Sequence, residues 1–204
     1  MACLVALVGC SPSMPCSVNV PRKDFQFSFA REPYINPKII QDFSTWISDK
    51  GDQVVAINVL ESQDSNRYFG DVQVRKTDGQ NPFVYLETTT VENGETNRQE
   101  FGYNYVGMTK SGVHVLYTSD WGGGSGVFKN LLLLAFEYDN GIGYDWDKRE
   151  IRSDGKRLLL KKLGEIPLGD RWDGELKVEG NSIFVGKDKG WFTVSGGTGG
   201  GNRN

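Results

Sequence analysis

Three segments predicted to form loops place a tryptophan beside an aspartate. The residues concerned are Asp120, Trp121, Asp145, Trp146, Asp147, Trp172 and Asp173. Aromatic rings stack on the apolar faces of sugars or on cations, and carboxylates accept hydrogen bonds from hydroxyl groups. Loops of this composition that converge at one end of a domain would bind a glycan or a peptide. The alternative is structural, and it is the commoner use of such residues: tryptophans cover the ends of a β sandwich and aspartates nucleate turns.

Carboxylates also cluster between residues 139 and 150, where they raise the question of a cation site or an enzyme. Asp139, Asp145, Asp147 and Glu150 supply oxygen ligands at close spacing. They lack the Asp-x-Asp-x-Asp-Gly order of a calcium loop. Two of them would serve as the acid and base of a glycosidase only at a defined separation, which a sequence does not measure. No metal or other cofactor is predicted, and no motif nominates a reaction.

The remaining candidates for catalysis are one histidine and one serine. His114 is the single histidine of the chain and lies in a segment of alternating apolar residues. A zinc site needs three or four ligands, so His114 is predicted to be a hydrogen-bonded sheet residue. The glycine-rich stretch 122–126 contains Ser125, but a nucleophile elbow requires a glycine two residues later, where Val127 stands. This stretch is predicted to be a loop whose glycines permit unusual backbone angles or close approach of another group.

The first ten residues carry a signal for location. An apolar run from Ala2 to Val8 is too short to span a bilayer, which takes about 20 residues, and it fits the hydrophobic part of a signal peptide. The run ends in Leu7-Val8-Gly9-Cys10, which resembles the lipobox of bacterial lipoproteins. The resemblance implies that residues 1–9 are a signal peptide and that acyl chains such as palmitate are attached to the thiol of Cys10 after cleavage. The alternative is a buried N-terminal strand with a free cysteine.

Residues 10–33 are predicted to be a lipidated N-terminus followed by an extended tether, because three prolines fall between positions 12 and 21. Two or more acyl chains make such an attachment durable. The membrane is therefore an expected partner, and the contact is made through the lipid anchor alone. In the lipoproteins that this segment resembles, aspartate after the cysteine retains the protein at the inner membrane, and Ser11 therefore implies the outer membrane. The domain would lie in the periplasm or at the cell surface. Cys16 would have no cysteine partner in the mature chain.

Charge and length restrict the remaining function classes. The chain has 23 basic and 26 acidic residues and an isoelectric point near 5.3. Binding of nucleic acid needs a basic face that displaces counterions, so nucleic acid is not an expected partner. Residues 34–194 are long enough for a single β-rich domain with its own core. The glycine-rich residues 195–204 are predicted to be a disordered tail.

One segment has a helical pattern. Asn36 is a suitable N-cap, Pro37 fits the first helical position, and Gly51 supplies a stop signal. Between them Ile39, Ile40, Phe43 and Ile47 recur at helical spacing. These residues predict an amphipathic helix over residues 37–49 that packs on the domain's own sheet.

From residue 53 onward, short β-branched and aromatic runs alternate with turn signals such as Asn93-Gly94, Asn140-Gly141 and Asp154-Gly155. Short connections between successive strands imply antiparallel neighbours. The six apolar residues 131–136 imply a strand that is covered on both faces. The predicted fold is mainly β, an antiparallel sandwich or partly closed barrel with one N-terminal amphipathic helix.

Three functions therefore remain open. The first is a lipid-anchored binding or interaction module of the cell envelope, with a glycan or a protein as its ligand. The second is an envelope hydrolase that uses loop carboxylates, and the third is a structural subunit of an envelope complex. The binding module is favoured, because no residue pattern specifies a reaction.

Overall fold

The computed structural model of the protein describes residues 26–44, 54–62, 72–76, 81–92, 94–187 and 189–194. They form a mainly β fold, in which a seven-stranded and a three-stranded antiparallel sheet pack as a sandwich, and this confirms the predicted fold class. The predicted signal peptide, Cys10, Cys16 and the predicted tail lie outside the described residues. The elements in chain order are α1 (Pro37–Gln41), β1 (Ala56–Asn58), α2 (Val59–Ser62), β2 (Gln73–Arg75), β3 (Phe83–Glu92), β4 (Glu95–Met108), β5 (His114–Trp121), β6 (Phe128–Asp145), β7 (Glu150–Asp170), β8 (Leu176–Glu179), β9 (Ser182–Val185) and β10 (Gly190–Thr193).

The large sheet is a meander over most of its width. Its strand order is β1-β7-β6-β5-β4-β3-β2, and each pair is antiparallel. Short connections join the consecutive strands, as the turn signals predict. At the turn before β4, Gly94 has a φ of 82°, a backbone angle that favours glycine.

The strands β6 and β7 continue beyond the rest of the sheet as a two-stranded ribbon, residues 139–157, hereafter the ribbon. The predicted turns at Asn140-Gly141 and Asp154-Gly155 are wrong, because both pairs lie within strands and the chain reverses at residues 146–149. Between Asn140 and Ile142 the partners change from Lys156 to Ser153, which leaves two residues of β7 opposite Gly141. Gly155 has a φ of 84° at this point, so this glycine permits a β-bulge rather than a turn.

Both faces of the central strands are buried, as predicted for residues 131–136. Leu131 is 0% exposed and its neighbour Leu132 is 1% exposed, although alternation points them to opposite faces of the sheet. We call the face of Leu132 the cap face and the face of Leu131 the cleft face. The register of β5 on β6 extends this assignment to Leu116 on the cap face and Tyr117 on the cleft face.

The cap face is covered by the segment before β1. Phe29, Ile35, Ile40 and Phe43 pack with Leu116, Leu132 and Leu134 in one buried cluster. The hydroxyl of the buried Tyr103 donates a hydrogen bond to the carbonyl oxygen of Ile35 over 2.7 Å. Phe29 belongs to this core although it lies within the residues predicted to be a tether, so the packed part of the chain begins before residue 34.

The predicted helix is shorter than expected within the described residues. Asn36 caps α1 as predicted, and its side chain accepts a hydrogen bond from the backbone N–H of Lys38. The helix ends at Gln41, and the carbonyl oxygen of the buried Phe43 accepts a hydrogen bond from the Lys162 ammonium over 2.7 Å. This hydrogen bond ties the chain just after α1 to the large sheet. Residues 45–49 of the predicted helix lie outside the described residues.

The cleft face is covered over part of its area by the small sheet, whose order is β10-β9-β8. Val115 and Leu131 of the large sheet pack with Ile183 and Val185 of β9 in a second buried cluster, which also contains Trp172. The small sheet thus stands on one part of the cleft face and leaves the rest open. The boundary between the covered and open parts is the place where a cleft forms.

Candidate functional site

An open cleft of about 490 Å³ lies at this boundary. One wall is the connection from β7 to β8, and the floor comes from β4, β5 and the residues before β3. Of the residues predicted to bind a ligand, Trp172 and Asp173 line the cleft. The lining residues are Asn81, Asn104, Tyr105, Val106, Tyr117, Trp172, Asp173, Gly174, Glu175 and Leu176.

Trp172 forms the apolar part of the wall and is held by Tyr117. The Tyr117 hydroxyl donates a hydrogen bond to the carbonyl oxygen of Trp172 over 2.9 Å, and the two ring centroids are 6.0 Å apart. The chain enters this wall through Arg171, which has a φ of 46° and whose N–H donates to the carbonyl oxygen of Val127. Trp172 is 7% exposed, so it has a structural role in the core as well as a place on the cleft.

The indole N–H of Trp172 is a buried donor without a hydrogen-bond partner in the described part of the chain. The edge of the ring that carries Nε1 lies against Gly174, since a Cβ there would be 2.8 Å from Cε2 and 2.4 Å from Cζ2. Gly174 also lines the cleft, so this edge of the indole lies just behind the cleft wall, while Nε1 itself is buried. A buried donor that stays unpaired costs about 1–3 kcal/mol, and an acceptor atom of a ligand would recover this free energy once the wall at Gly174 moved enough to expose Nε1.

Two asparagines fix the floor of the cleft. The Asn104 carboxamide donates to the carbonyl oxygen of Asn81 over 2.9 Å, and the Asn81 carboxamide donates to the carbonyl oxygen of Tyr105 over 2.7 Å. These reciprocal bonds join the residues before β3 to β4 at positions that line the cleft. Neither residue was predictable from sequence, because asparagine next to proline or inside a strand carries no ligand-binding pattern.

The rim of the cleft is acidic. Asp173 and Glu175 are exposed, and each is held by a lysine of the small-sheet region. Asp173 pairs with Lys187, and Glu175 pairs with Lys177 over 2.8 Å. Carboxylates in this setting can accept hydrogen bonds from ligand hydroxyl groups while their lysine partners hold them in place.

A lysine and a serine lie on the cleft face beyond Tyr117. Ser119 and Lys129 are paired in the register of β5 on β6, and the Lys129 ammonium donates to the Ser119 hydroxyl over 2.5 Å. The ammonium is 5.5 Å from the centroid of the Tyr117 ring, so it is adjacent to the cleft. Burial lowers the pKa of Lys129. Alternation along two strands is the signal that would have grouped Tyr117, Ser119 and Lys129, but it does so only once the register is known.

The Ser119–Lys129 pair does not have the surroundings that acyl transfer requires. Ser119 is 5% exposed and lies in the middle strand of three that are hydrogen-bonded to one another. A serine nucleophile needs access for the substrate carbonyl and backbone N–H groups that can bind the developing oxyanion. The geometry therefore favours a binding role for Lys129 over a catalytic role for Ser119.

The first of the other predicted pairs, Asp120 and Trp121, does not reach the cleft. The Trp121 indole donates to the carbonyl oxygen of Gly124 over 2.7 Å and so holds the glycine-rich loop. Gly123 in that loop has a φ of 87° and lies directly against Asn97. Asp120 points to the cap face, where it lines a shallow recess near α1.

The pair at Trp146 lies at the far end of the molecule. Asp145 accepts hydrogen bonds from the backbone N–H groups of Asp147 and Lys148, both over 3.1 Å, so it nucleates the turn of the ribbon. Trp146 is 83% exposed. Asp120 is the register partner of Phe128, at the other end of β6. Phe128 is seventeen residues from Asp145 along the strand, a separation of roughly 55 Å at about 3.3 Å per residue. The structure thus brings Trp172 and Asp173 to the cleft and does not bring the three tryptophans together.

His114 is half-buried among aromatic rings on the cap face. Its ring centroid is 5.2 Å from that of Phe29 and 5.3 Å from that of Phe136, and its Nδ1 is 3.3 Å from the Tyr105 hydroxyl. Burial lowers the pKa of His114 to about 4. The imidazole is therefore neutral at physiological pH and belongs to the core rather than to the cleft.

Two of the four carboxylates considered for a cation site, Asp139 and Asp145, are engaged in other contacts. Asp139 pairs with Arg157 over 2.6 Å, and Asp145 is 3.6 Å from a guanidinium nitrogen of Arg152. Over the described ranges, no group of three or more histidine, cysteine, aspartate or glutamate side chains is placed to hold a metal ion. Within the same ranges, no helix has the length and apolar character needed to cross a membrane.

Comparison with known proteins gives no relative. No protein-family model, curated protein or solved structure matches this chain.

Proposed function

We propose that this protein is a binding module of the cell envelope whose cleft beside Trp172 takes a hydroxyl-rich ligand, a glycan being the class that fits best. The proposal places the ligand against the Trp172 wall, with Asn104 on the floor and the carboxylates of Asp173 and Glu175 on the rim. A sugar needs an aromatic surface for its apolar face and a ring of acceptors and donors for its hydroxyl groups. The cleft combines these features.

The observation that carries the proposal is the unpaired indole N–H of Trp172 at the cleft wall. Buried donors in folded proteins nearly always have partners, and exceptions commonly mark sites that are completed by another molecule. A ligand oxygen that displaces the wall at Gly174 would both satisfy the donor, which is buried behind that wall, and lie close to the ring. An apolar ligand would leave the donor unpaired and would bind less well.

The location in the envelope rests on the sequence Leu7-Val8-Gly9-Cys10. We propose that lipid on Cys10 holds the binding module at a membrane surface. Mass spectrometry of protein purified from native membranes tests this part separately. A first residue that is an acylated Cys10 supports it, whereas an unmodified chain that starts at Met1 contradicts it.

Isothermal titration of the full chain against a panel of neutral and acidic oligosaccharides tests the binding function. Asp173→Asn removes a rim charge, and Asp147→Asn is the matched control, because both side chains are exposed and only Asp173 lines the cleft. We expect Asp173→Asn to weaken binding about fivefold, the usual effect of one hydrogen bond to a charged group, and Asp147→Asn to have no effect. Equal affinities of both variants and the native chain would contradict the proposed cleft.

A second candidate function is self-assembly through the ribbon. Ile142, Tyr144 and Ile151 share one face of it, since Tyr144 and Ile151 are register partners, and Trp146 contacts Tyr144 edge-on at 4.8 Å. Ile142 and Ile151 are 72% and 74% exposed. An apolar face of this kind is typical of an interaction surface.

A second copy of this chain is the partner that the charges of the ribbon favour. Residues 139–157 contain five acidic and five basic side chains, so two ribbons related by a two-fold axis can be complementary to each other. Sedimentation velocity tests this assembly with the double variant Ile142→Ser, Ile151→Ser, and Val91→Ser is the control for loss of an exposed aliphatic side chain. A dimer that only the double variant dissociates supports the assembly, and a monomeric native chain at all concentrations rules it out.

A further inference from the structure

We propose that the cleft continues past Tyr117 into an anion subsite at Lys129, so that the ligand is an acidic sugar whose carboxylate binds the Lys129 ammonium. This inference rests on the proposed function and names the class of glycan.

Lys129 and the cleft share Tyr117 as a common wall. The centroid of the Tyr117 ring lies 6.0 Å from that of the Trp172 ring and 5.5 Å from the Lys129 ammonium nitrogen. Ser119 lies two residues after Tyr117 on β5, and its register partner Lys129 lies two residues before Leu131 on β6. Alternation therefore places all four side chains on the cleft face. A ligand that covers Trp172 and Tyr117 therefore reaches Lys129 with its next substituent.

The charge of Lys129 is not balanced by a contact with a carboxylate. In the part of the chain that the structure describes, its ammonium donates to the neutral hydroxyl of Ser119 and forms no ion pair. By contrast, Lys161, Lys162 and Lys177 each contact a carboxylate within 2.8 Å. A half-buried ammonium whose contacts are neutral loses hydration without gaining an opposite charge.

The acidic residue near Lys129 is engaged elsewhere. Glu100 accepts a hydrogen bond from the Arg75 guanidinium over 2.9 Å, and Arg75 also covers the Tyr85 ring at 4.6 Å. Arg75, Glu100 and Lys129 together carry one net positive charge. Arg98 and Glu87, which pair beside them, do not change this sum. The open part of the cleft face is thus slightly positive, whereas at the rim Asp173 and Glu175 are each paired with a lysine, so that their charges are balanced.

The unbalanced positive charge at Lys129 favours an acidic sugar over a neutral one. The carboxylate of a hexuronate would bind the Lys129 ammonium, and the sugar hydroxyl groups would donate to the rim carboxylates. The sugar ring would lie on Tyr117 and Trp172. A peptide with a free carboxyl terminus offers the same anion but fewer hydroxyl groups for the acidic rim, so it is the less suitable occupant.

The test compares two ligands and four forms of the full chain. The ligands are a hexuronate-containing disaccharide and the corresponding neutral disaccharide, and the variants are Lys129→Met, Lys129→Arg and the exposed control Lys148→Met. We expect the native chain to bind the acidic disaccharide about tenfold more tightly than the neutral one, as for a charge-assisted hydrogen bond, and less tightly as salt is added. Lys129→Met should bind both with the affinity of the neutral sugar, Lys129→Arg should retain the preference, and Lys148→Met should match the native chain.

The outcomes separate this inference from the proposed function. Equal affinity of the native chain for both disaccharides, with binding still weakened by Asp173→Asn, would overturn the anion subsite and leave the cleft. Binding of neither disaccharide would overturn both. If Lys129→Met fails to fold, as its melting curve would show, the comparison of the two ligands on the native chain and on Lys129→Arg still decides the question.

Discussion

The hydroxyl of Tyr117 donates a hydrogen bond to the backbone carbonyl oxygen of Trp172, fifty-five residues later in the chain. This bond joins the centre of the large sheet to the wall of the cleft. Because Tyr117 lies next to both Trp172 and Lys129, it connects the two proposed parts of the site.

Replacement of Tyr117 by phenylalanine should destabilise the domain and loosen the cleft wall. Burial raises the pKa of Tyr117 to about 12, so its hydroxyl is a donor throughout the physiological range. Tyr117→Phe leaves the Trp172 carbonyl oxygen without this donor and should lower the free energy of unfolding by about 1 kcal/mol. Urea denaturation measures the change, with Tyr144→Phe on the exposed ribbon as the control. An equal effect of the two substitutions would contradict this role of Tyr117.

Replacement of Trp172 by phenylalanine separates its role in binding from its role in the core. Phenylalanine keeps an aromatic ring in the wall but lacks the indole N–H, so a ligand acceptor loses its partner. Ligand affinity should fall about fivefold to tenfold, while the folded state persists with an unfolding free energy lower by roughly 1–3 kcal/mol. Titration calorimetry and urea denaturation measure the two effects. Full affinity in a folded Trp172→Phe variant would show that the indole N–H does not contact the ligand.

The central strands and the cap of the helix were predictable from sequence, because local rules decide them. Six consecutive apolar residues require cover on both faces, and Leu131 and Leu132 are buried on opposite faces of the sheet. Asn36 followed by Pro37 is a local signal for the start of a helix, which does not depend on the rest of the fold. The length of α1 was not predictable from local pattern, and the chain just after the helix is bonded to Lys162, which lies 119 residues away from Phe43 in the chain.

The site was predictable only in part for the same reason. Trp172 and Asp173 stand out by residue type, but Trp121 and Trp146 have the same composition around them and lie elsewhere. What distinguishes Trp172 is the register that places Tyr117 beneath it, and register is a property of the folded sheet. Lys129 has no sequence signature at all, since its neighbours become apparent only when β5 and β6 are aligned.

The stability of the domain should decrease in mild acid because of His114. Its pKa is about 4 in the folded state and about 6.5 in an unfolded chain, so between these values the unfolded chain binds a proton that the folded chain does not. The free energy of unfolding should therefore fall as the pH decreases from about 6.5 to about 4, by on the order of 2–3 kcal/mol at about 1.4 kcal/mol per pKa unit. Urea denaturation at a series of pH values measures this slope. The variant His114→Phe preserves a ring among Phe29 and Phe136, and its free energy of unfolding should change less with pH over the same range. An unchanged pH dependence would assign the acid sensitivity to other groups.

A methyl group at position 174 should disturb the cleft wall directly. The Cβ of an alanine there would lie 2.4 Å from Cζ2 of Trp172, closer than side chains approach one another, so the indole ring must move. Gly122→Ala is the matched control, because its Cβ would meet no atom within 4 Å. We expect Gly174→Ala to reduce ligand affinity at least about tenfold and to shift the fluorescence spectrum of the protein, since a displaced indole loses its buried environment and the geometry of its N–H. Gly122→Ala should change neither property. If Gly174→Ala shifts the fluorescence and leaves ligand affinity intact, the ring moves without consequence for binding, and the ligand does not rest on Trp172.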